Sequence, residues 1–136
     1  MNSVLDIFPS NARRSVASAR RYAELSIELY TFAHYNKFKG DDGDDKLFAK
    51  GDKNWLHGAN GQDKIVAQGD KNTLLGGRHR DKLAAYGDYN RLYGHTEDDS
   101  LWVPMGFMGN FLDGGPHIST DTCGDCGFST CMNCAP

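Results

Sequence analysis

Residues 40–57 read Gly40-Asp-Asp-Gly-Asp-Asp-Lys-Leu-Phe-Ala49-Lys-Gly-Asp-Lys-Asn-Trp-Leu-His57, and this stretch contains the pattern that decides the fold. It consists of two nine-residue units, and seven such units follow one another without a slip as far as Trp102. Each unit has one apolar anchor residue, and the anchors are Leu47, Leu56, Ile65, Leu74, Leu83, Leu92 and Leu101. A short fixed period of this kind predicts a solenoid, in which each unit buries its apolar face only against its neighbours.

Two positions of the unit alternate strictly, so the true period is eighteen residues. Two residues before each anchor the chain has Asp45, Asn54, Asp63, Asn72, Asp81, Asn90 and Asp99. Seven residues before each anchor it has Gly40, Ala49, Gly58, Ala67, Gly76, Ala85 and Gly94. Two short strands and two turns therefore form one coil. The pattern predicts an all-β solenoid, a parallel β-roll or β-helix with 18 residues per coil.

The remaining sequence divides into a cap, a hinge and a tail. We expect an N-terminal cap over residues 1–39, the solenoid over 40–103, an apolar hinge with a Gly-Gly pair over 104–115, and a Cys-rich tail over 116–136. A solenoid needs caps because its open β-edges invite pairing with other chains. The tail has few apolar residues and no lysine or arginine, so we expect it to be flexible unless a metal or a crosslink orders it.

The N-terminal cap is predicted to be an α-helix that begins at Ser10 or Asn11 and ends near Tyr35. Its apolar residues recur at helical spacing: Val16, Ala19, Ala23, Ile27, Tyr30 and His34. Such a helix has too much apolar surface to stand alone, so we expect it to cover the first coil of the solenoid.

The odd-numbered units resemble the hemolysin-type (RTX) nonapeptide, which has the pattern G-G-x-G-x-D-x-U-x. The first two read Gly40-Asp-Asp-Gly-Asp-Asp-Lys-Leu-Phe48 and Gly58-Ala-Asn-Gly-Gln-Asp-Lys-Ile-Val66. In that family the glycine-rich turn supplies carbonyl oxygens, and the aspartate supplies a carboxylate, to Ca²⁺ held between stacked turns. The resemblance therefore implies calcium sites in the turns, with the candidate ligands Asp42, Asp45, Asn60 and Asp63.

Two features of the repeat favour a solenoid that needs no metal. Lys46, Lys64 and Lys82 directly follow the aspartates, and their charges would neutralise the carboxylates. The even-numbered units have asparagine where the calcium ligand is expected, and stacked asparagine side chains form hydrogen-bonded ladders. Metal-free Asn and Asp–Lys ladders are therefore the alternative to calcium sites.

The residues that follow the anchors form a second candidate surface. They are mostly apolar: Phe48, His57, Val66, Leu75, Ala84, Tyr93 and Trp102. If this row is exposed, it is a docking face for a partner, and if the N-terminal helix covers it, it is ordinary core.

Composition excludes several classes of function. The formal net charge is −3, and no basic patch is long enough to indicate nucleic-acid binding. The first thirty residues have no long apolar stretch, so we expect neither a signal peptide nor a membrane span, and a cytoplasmic location is the default. The five histidines lie in five different contexts, and no set of nucleophile, base and orienting group can be assembled. We therefore expect no enzymatic activity.

All four cysteines lie near the end of the chain, in Thr122-Cys-Gly-Asp-Cys-Gly-Phe-Ser-Thr-Cys-Met-Asn-Cys134. Two Cys-x-x-Cys pairs are typical of a Cys₄ zinc site or another soft-metal site, although the gap between these pairs is short. In an oxidising environment the same cysteines would form two disulfides, and the sequence does not choose among the three pairings.

Leu112-Asp-Gly-Gly115 precedes this tail and resembles the double-glycine processing site of leader peptides. Cleavage after Gly115 would release residues 116–136, which mix cysteine with serine and threonine. These are the raw materials of thioethers, in which a cysteine thiolate adds to a dehydrated hydroxyl residue. The candidate modified residues are Ser119, Thr120, Thr122, Cys123, Cys126, Ser129, Thr130, Cys131 and Cys134, and the cleavage site is Gly114 with Gly115.

The chain therefore resembles a precursor of a ribosomally synthesised, post-translationally modified peptide, with the solenoid as leader and recognition scaffold. Its partners would be maturation enzymes and a leader peptidase or exporter, and the mature tail peptide would be exported from the cytoplasm. Two alternatives stay open. In the first alternative, the chain is an RTX-like calcium-binding or protein-interaction module. In the second, it is a structural solenoid with a metal-binding Cys₄ tail.

Overall fold

The computed structural model describes residues 3–6, 16–18, 26–116, 121–124 and 127–134, with the first two segments described by their backbone alone. These residues form only β-strands and turns, without a helix, and so none of them belongs to a helix that spans a membrane. The strands are β1 Ser3–Asp6, β2 Val16–Ser18, β3 Ile27–Thr31, β4 Lys37–Asp42, β5 Lys46–Lys50, β6 Trp55–Asn60, β7 Lys64–Gln68, β8 Thr73–Arg78, β9 Lys82–Tyr86, β10 Arg91–His95, β11 Ser100–Trp102, β12 Phe111–Asp113, β13 Thr122–Gly124 and β14 Thr130–Met132.

The strands alternate between two parallel sheets, which together form a solenoid of about six turns. The odd-numbered strands form sheet A in the order β1-β3-β5-β7-β9-β11-β13. The even-numbered strands form sheet B in the order β2-β4-β6-β8-β10-β12-β14. Residues eighteen apart are register partners, for example Leu47 with Ile65 and Leu56 with Leu74. The predicted parallel solenoid with 18 residues per coil is confirmed.

The core lies between the two sheets and consists mainly of the anchor residues. All seven predicted anchors are at most 1% exposed. Along each strand inward residues alternate with outward ones, as the two-residue period of a strand requires. Burying one leucine side chain contributes about 1.5–3 kcal/mol to the free energy of unfolding. Each regular coil has two such anchors, one on each sheet.

The predicted N-terminal helix is wrong where the structure describes it. Residues 27–31 form β3, in which Ile27, Leu29 and Thr31 are buried and the two residues between them are partly exposed. Residues 16–18 form β2, and the other residues predicted to be helical before position 26 lie outside the described part. Leu29 pairs with Leu47, so this segment continues the repeat, and pairing with β5 satisfies its backbone groups.

The described residues of the tail form a further coil, and a crosslink, the condition under which we expected order, is present as the Cys123–Cys134 disulfide. Strand β13 pairs with β11, and β14 pairs with β12. Cys123 stands opposite Leu101 and Cys131 stands opposite Leu112, so both cysteines occupy anchor positions. Residues 117–120, 125–126 and 135–136 lie outside the described part.

Candidate functional site

Aspartates two residues before the sheet A anchors point into the solenoid. These residues, the Asp column, are Asp45, Asp63, Asp81, Asp99 and Asp121, and each is at most 2% exposed. The Oδ1 atom of each accepts a hydrogen bond of 2.7–2.8 Å from the backbone N–H at the same position one coil earlier. The column therefore connects successive coils from the inside.

A glycine in the preceding half-coil provides the room that each aspartate needs. A Cβ atom added at Gly58 would overlap the Oδ2 atom of Asp63, and one added at Gly76 would overlap Oδ2 of Asp81. Gly40 and Gly94 stand in the same relation to the aspartates that follow them. Glycine and aspartate therefore form one packing unit, which explains why they alternate together in the sequence.

Four carboxyl groups of the Asp column, those of Asp45, Asp63, Asp81 and Asp99, have a raised pKa. Burial raises the pKa of Asp45 and of Asp99 to about 7, of Asp63 to about 6 and of Asp81 to about 8. The backbone N–H that each Oδ1 accepts opposes this shift. The Oδ2 atoms of these four residues are buried without a hydrogen-bond partner in the described structure, so ionisation is costly there.

The Asn column occupies the equivalent position in sheet B and consists of Asn36, Asn54, Asn72, Asn90 and Asn110, all at most 3% exposed. The Oδ1 atoms from Asn54 to Asn110 accept backbone N–H groups one coil earlier at 2.7–2.8 Å. Buried alanines, among them Ala67 before Asn72, replace the glycines of the other column. The expected asparagine ladder is thus present, with mainly backbone groups as its donors.

A third ladder runs along the outside of the turns that lead from sheet A to sheet B. Asp70 donates its backbone N–H to Oδ1 of Asp52, and Asp88 does the same to Asp70, at 2.8–2.9 Å. Met108 completes the series by donating its backbone N–H to Oδ1 of Asp88. These stacked carboxylates are therefore held by N–H donors rather than by a cation.

The four candidate calcium ligands lie on two different sides of the backbone. Asp42 and Asn60 are exposed and hydrogen-bonded to each other at 2.7 Å, whereas Asp45 and Asp63 are buried inside the coil. No cluster of three or more His, Cys, Asp or Glu side chains suited to a metal ion occurs among the described residues. These four donors do not fit around one Ca²⁺, because Asp45 and Asp63 are buried inside the coil whereas Asp42 and Asn60 are exposed outside it.

The inward direction of Asp45 and Asp63 was available from the sequence. A residue two positions before a buried anchor has the same parity as the anchor, and side chains of equal parity share one face of a strand. The parity of Asp45 and Asp63 with the anchors predicts inward side chains, whereas the resemblance to the calcium-binding nonapeptide implies ligands in the turns.

Gly114 and Gly115, the predicted cleavage site, are built into the coil. Gly114 is buried and donates its N–H to the carbonyl of Met132, and an added Cβ would overlap the carbonyl oxygen of Asn133. Gly115 has a φ of 115°, and an added Cβ would overlap the carbonyl oxygen of His95. Both glycines therefore have a packing reason to be there that is independent of any processing.

The cysteines that the structure describes are oxidised. Cys123 and Cys134 form a disulfide with Cα atoms 5.6 Å apart, and Cys131 is also disulfide-bonded. A disulfide leaves no thiolate at these positions to bind zinc. Among the hydroxyl residues predicted to be modified, Thr122 and Thr130 are exposed and Ser129 is partly buried. Ser119, Thr120 and Cys126 lie outside the described residues.

The outer face of sheet A combines lysines with aromatic rings. Lys46, Lys64 and Lys82 are successive register partners and form a straight row, the lysine row. The neighbouring row is apolar and consists of Tyr30, Phe48, Val66, Ala84 and Trp102. Within the described part no helix covers these rows, so the apolar residues that follow the sheet A anchors face outward.

The outer face of sheet B is more mixed. The Lys37 ammonium lies 4.4 Å from the centre of the Trp55 ring, and Tyr93 packs against Phe111 with ring centres 5.7 Å apart. Burial lowers the pKa of His57, and the Lys39 charge lowers it further. Cations and aromatic rings thus occur here too, but without an unbroken row of one type.

The last coils carry an exposed apolar loop. Met105 is 86% exposed and Phe128 is 73% exposed, and together with Pro104 and Phe107 they line a shallow pocket. The loop exists because the spacing from Leu101 to its partner Cys123 is longer than the regular coil.

In comparisons with known proteins, the chain matches no protein family, no curated protein and no solved structure. The geometry by itself defines a fold class, the two-sheet parallel β-solenoid with internal aspartate and asparagine ladders.

Proposed function

We propose that the protein is a non-catalytic binding module, in which the solenoid is a rigid support and the outer face of sheet A contacts the partner. This function corresponds to the interaction-module alternative of the sequence analysis. The proposal rests on one observation, the contrast between the interior and the exterior of sheet A. Inside, the ionisable Asp column has its Oδ1 atoms occupied by backbone donors. Outside, a lysine row lies beside the exposed rings of Tyr86 and Trp102, and tyrosine and tryptophan are residue types enriched at binding hot spots.

The regular fold supports this role. Residues on one face of a solenoid keep a constant spacing, because each coil repeats the geometry of the one before. A flat face of this kind loses little conformational entropy on binding, since the backbone that carries its side chains is already ordered.

Photo-crosslinking in the source cells tests the proposal. A photoreactive residue in place of Ala84 lies in the middle of the sheet A face, and the same residue in place of Thr73 lies on the sheet B face. We expect the Ala84 position to capture one defined partner and the Thr73 position to capture none. Equal yields at both positions, or none at either, would contradict a binding face on sheet A.

The precursor hypothesis is a second proposal. It is supported by the position of Gly114 and Gly115 directly after β12, with every cysteine later in the chain. Cleavage there would remove β13 and β14 and leave β1 to β12 paired with one another. Substitution of Gly114 is a poor test, because a larger residue would also disrupt the last coil.

The intact mass of the native chain separates the two proposals. Alkylation before reduction labels only free thiols. The binding module predicts a chain that retains residues 116–136, with unlabelled, disulfide-bonded cysteines. The precursor predicts a separate peptide that begins at Pro116 and is lighter by one or more waters.

A further inference from the structure

The outer face of sheet A is positively charged in a chain whose net charge is negative. Its described strands carry four lysines, Lys46, Lys50, Lys64 and Lys82, and two acidic residues, Asp6 and Glu28, which is a net charge of +2. The chain as a whole has a net charge of −3. The acidic side chains are concentrated elsewhere, many of them in the turns and in the Asp column. This face therefore attracts an anionic partner.

Two of these lysines are available for a partner. Lys46 forms an ion pair with Glu28, which lies opposite it on β3. In the part of the chain that the structure describes, Lys64 and Lys82 have no ion pair, and both are exposed. Their backbones lie on adjacent strands, about 4.8 Å apart, so both side chains project from the same part of the face. Two unpaired positive charges on adjacent strands favour a partner with more than one negative group.

Aromatic rings flank the lysines at both ends of the same face. Tyr30 and Phe48 pack with ring centres 5.9 Å apart at one end, and Tyr86 and Trp102 pack at 5.4 Å at the other. Between Phe48 and Trp102 lie only Val66 and Ala84, whose side chains are smaller. The two aromatic groups are therefore three strand spacings apart, about 14 Å, and enclose a shallow depression along the solenoid axis.

We propose that this depression binds a linear acidic polysaccharide, a chain of uronic acid units, lying along the solenoid axis. The inference rests on the proposed binding function and names the class of its partner. Each uronate unit has one carboxylate and an apolar face of C–H groups. The carboxylates pair with Lys64 and Lys82, and the C–H faces pack against Phe48, Val66, Ala84 and Trp102.

The apolar row favours this polymer over other polyanions. A pyranose ring has a face of C–H groups that packs against an aromatic ring such as that of Trp102. The carboxylate-bearing side chains of an acidic peptide have no such face. A nucleic acid would need a broader basic surface than this narrow strip.

Calorimetric titration of the full-length, disulfide-bonded chain with a hexamer of galacturonic acid tests the inference. We expect saturable binding that weakens as salt rises, because the carboxylates contact lysines. A neutral hexamer of glucose and a polyglutamate of equal charge serve as comparison ligands. The inference is supported if the galacturonate binds at least about tenfold more tightly than both.

The chain offers a matched control for the lysines. Lys53 and Lys71 are also exposed and eighteen residues apart, but they lie in the turns. The variant Lys64→Glu/Lys82→Glu should weaken galacturonate binding about tenfold or more, whereas Lys53→Glu/Lys71→Glu should change it less than about twofold. Circular dichroism confirms that both variants are folded. Trp102→Ala should also weaken binding, since it removes one aromatic end of the depression.

The failures of this inference and of the binding function are distinguishable. Equal losses in the two lysine variants, or equal binding of polyglutamate, would overturn the polysaccharide while crosslinking at position 84 still shows a binding face. If galacturonate does not bind but position 84 still crosslinks to a partner, the polysaccharide is likewise overturned and the binding face remains. Absence of both would overturn the binding function as well.

Discussion

The two halves of each coil use different side chains, aspartate and asparagine, to accept the same kind of backbone hydrogen bond. In both, a side-chain oxygen two residues before a buried anchor accepts a backbone N–H from the preceding coil. The sheet A half uses aspartate opposite glycine, and the sheet B half uses asparagine opposite alanine. An amide cannot ionise, whereas a carboxyl can, so of the two columns only the Asp column makes the fold sensitive to pH. The backbone geometry of a ladder therefore does not determine its electrostatics.

The largest expected effect is a loss of stability as pH rises, caused mainly by Asp45, Asp63, Asp81 and Asp99 of the Asp column. The folded-state pKa values of about 6 to 8 lie above the ordinary value of 3.8. As pH rises, the unfolded chain therefore releases these protons first. The stabilisation is full below about pH 4 and is lost as pH rises through about 6 to 8. Urea denaturation should give a free energy of unfolding several kcal/mol larger at about pH 5 than at about pH 8.

Exchange of residues between the columns provides the control for this pH dependence. Asp81→Asn should flatten the profile, because it removes the group with the highest pKa in the column. Asn72→Asp should steepen it by placing a second carboxyl group inside sheet B. An unchanged slope in either variant would show that other groups cause the effect.

A smaller but still large effect is expected when alanine replaces glycine in the sheet A half. The Cβ atom of Gly58→Ala overlaps Asp63, and overpacking of this kind costs about 1–3 kcal/mol. The reverse change, Ala67→Gly, introduces no overlap and should cost no more than about 1 kcal/mol. Thermal denaturation measures both variants.

The coupling between the glycine and the aspartate can be measured in a double-mutant cycle. In Gly58→Ala/Asp63→Asn the sheet A half takes the composition of the sheet B half. The double variant should recover part of the stability lost in Gly58→Ala, because the two side chains are in contact. Strictly additive losses would mean that the alternation in the sequence has another cause.

Removal of one ladder acceptor is expected to cost about as much as overpacking. Asn72→Ala leaves the buried N–H of Asn54 without its acceptor, at a cost of about 1–3 kcal/mol. Asp81→Ala does the same to Asp63, but at about pH 8 it also removes a group whose charge is disfavoured by burial. Asp81→Ala should therefore be the milder change at about pH 8, and this advantage should shrink at about pH 5. An advantage that persists at about pH 5 would contradict this explanation.

The smallest effect is expected in the outer ladder of the turns. Asp70→Ala removes the acceptor of the Asp88 N–H, but water can replace that acceptor because the turn is exposed. We expect a loss of about 0.5 kcal/mol or less. Hydrogen exchange at Asp88 should become faster, while exchange at Asn54 inside the coil stays unchanged.

The repeat region was predictable because its signal is local and repeated. Seven anchors nine residues apart leave little choice of fold, and the alternation of aspartate with asparagine sets the coil at eighteen residues. The coil before it was missed, although Leu29, Phe38 and Leu47 are also nine residues apart. That coil lacks the Gly and Asp columns, and its apolar residues also fit a helical period, so the weaker signal was misread.

The tail was missed for a different reason. Cys123 and Cys131 are anchors, but the spacing that leads to them is irregular. Cysteine also binds metals and forms crosslinks, so a cysteine in the sequence does not by itself indicate an anchor. The calcium ligands were placed by resemblance, which conveyed the turn sequence but not the direction of the carboxylates. Their parity with the buried anchors indicates that Asp45 and Asp63 point inward, but only the folded structure shows that a backbone N–H is the partner of each Oδ1 atom.

The sequence by itself determined the architecture of this protein, because a period of eighteen residues with two apolar anchors can bury its anchors only by stacking coil upon coil. Tertiary structure decided the chemistry. It gave the inward aspartates their backbone N–H donors and the burial that raises their pKa, and it aligned residues eighteen apart into a lysine row and an apolar row on sheet A. Both outcomes depend on contacts between coils, and such contacts exist only once the chain has folded.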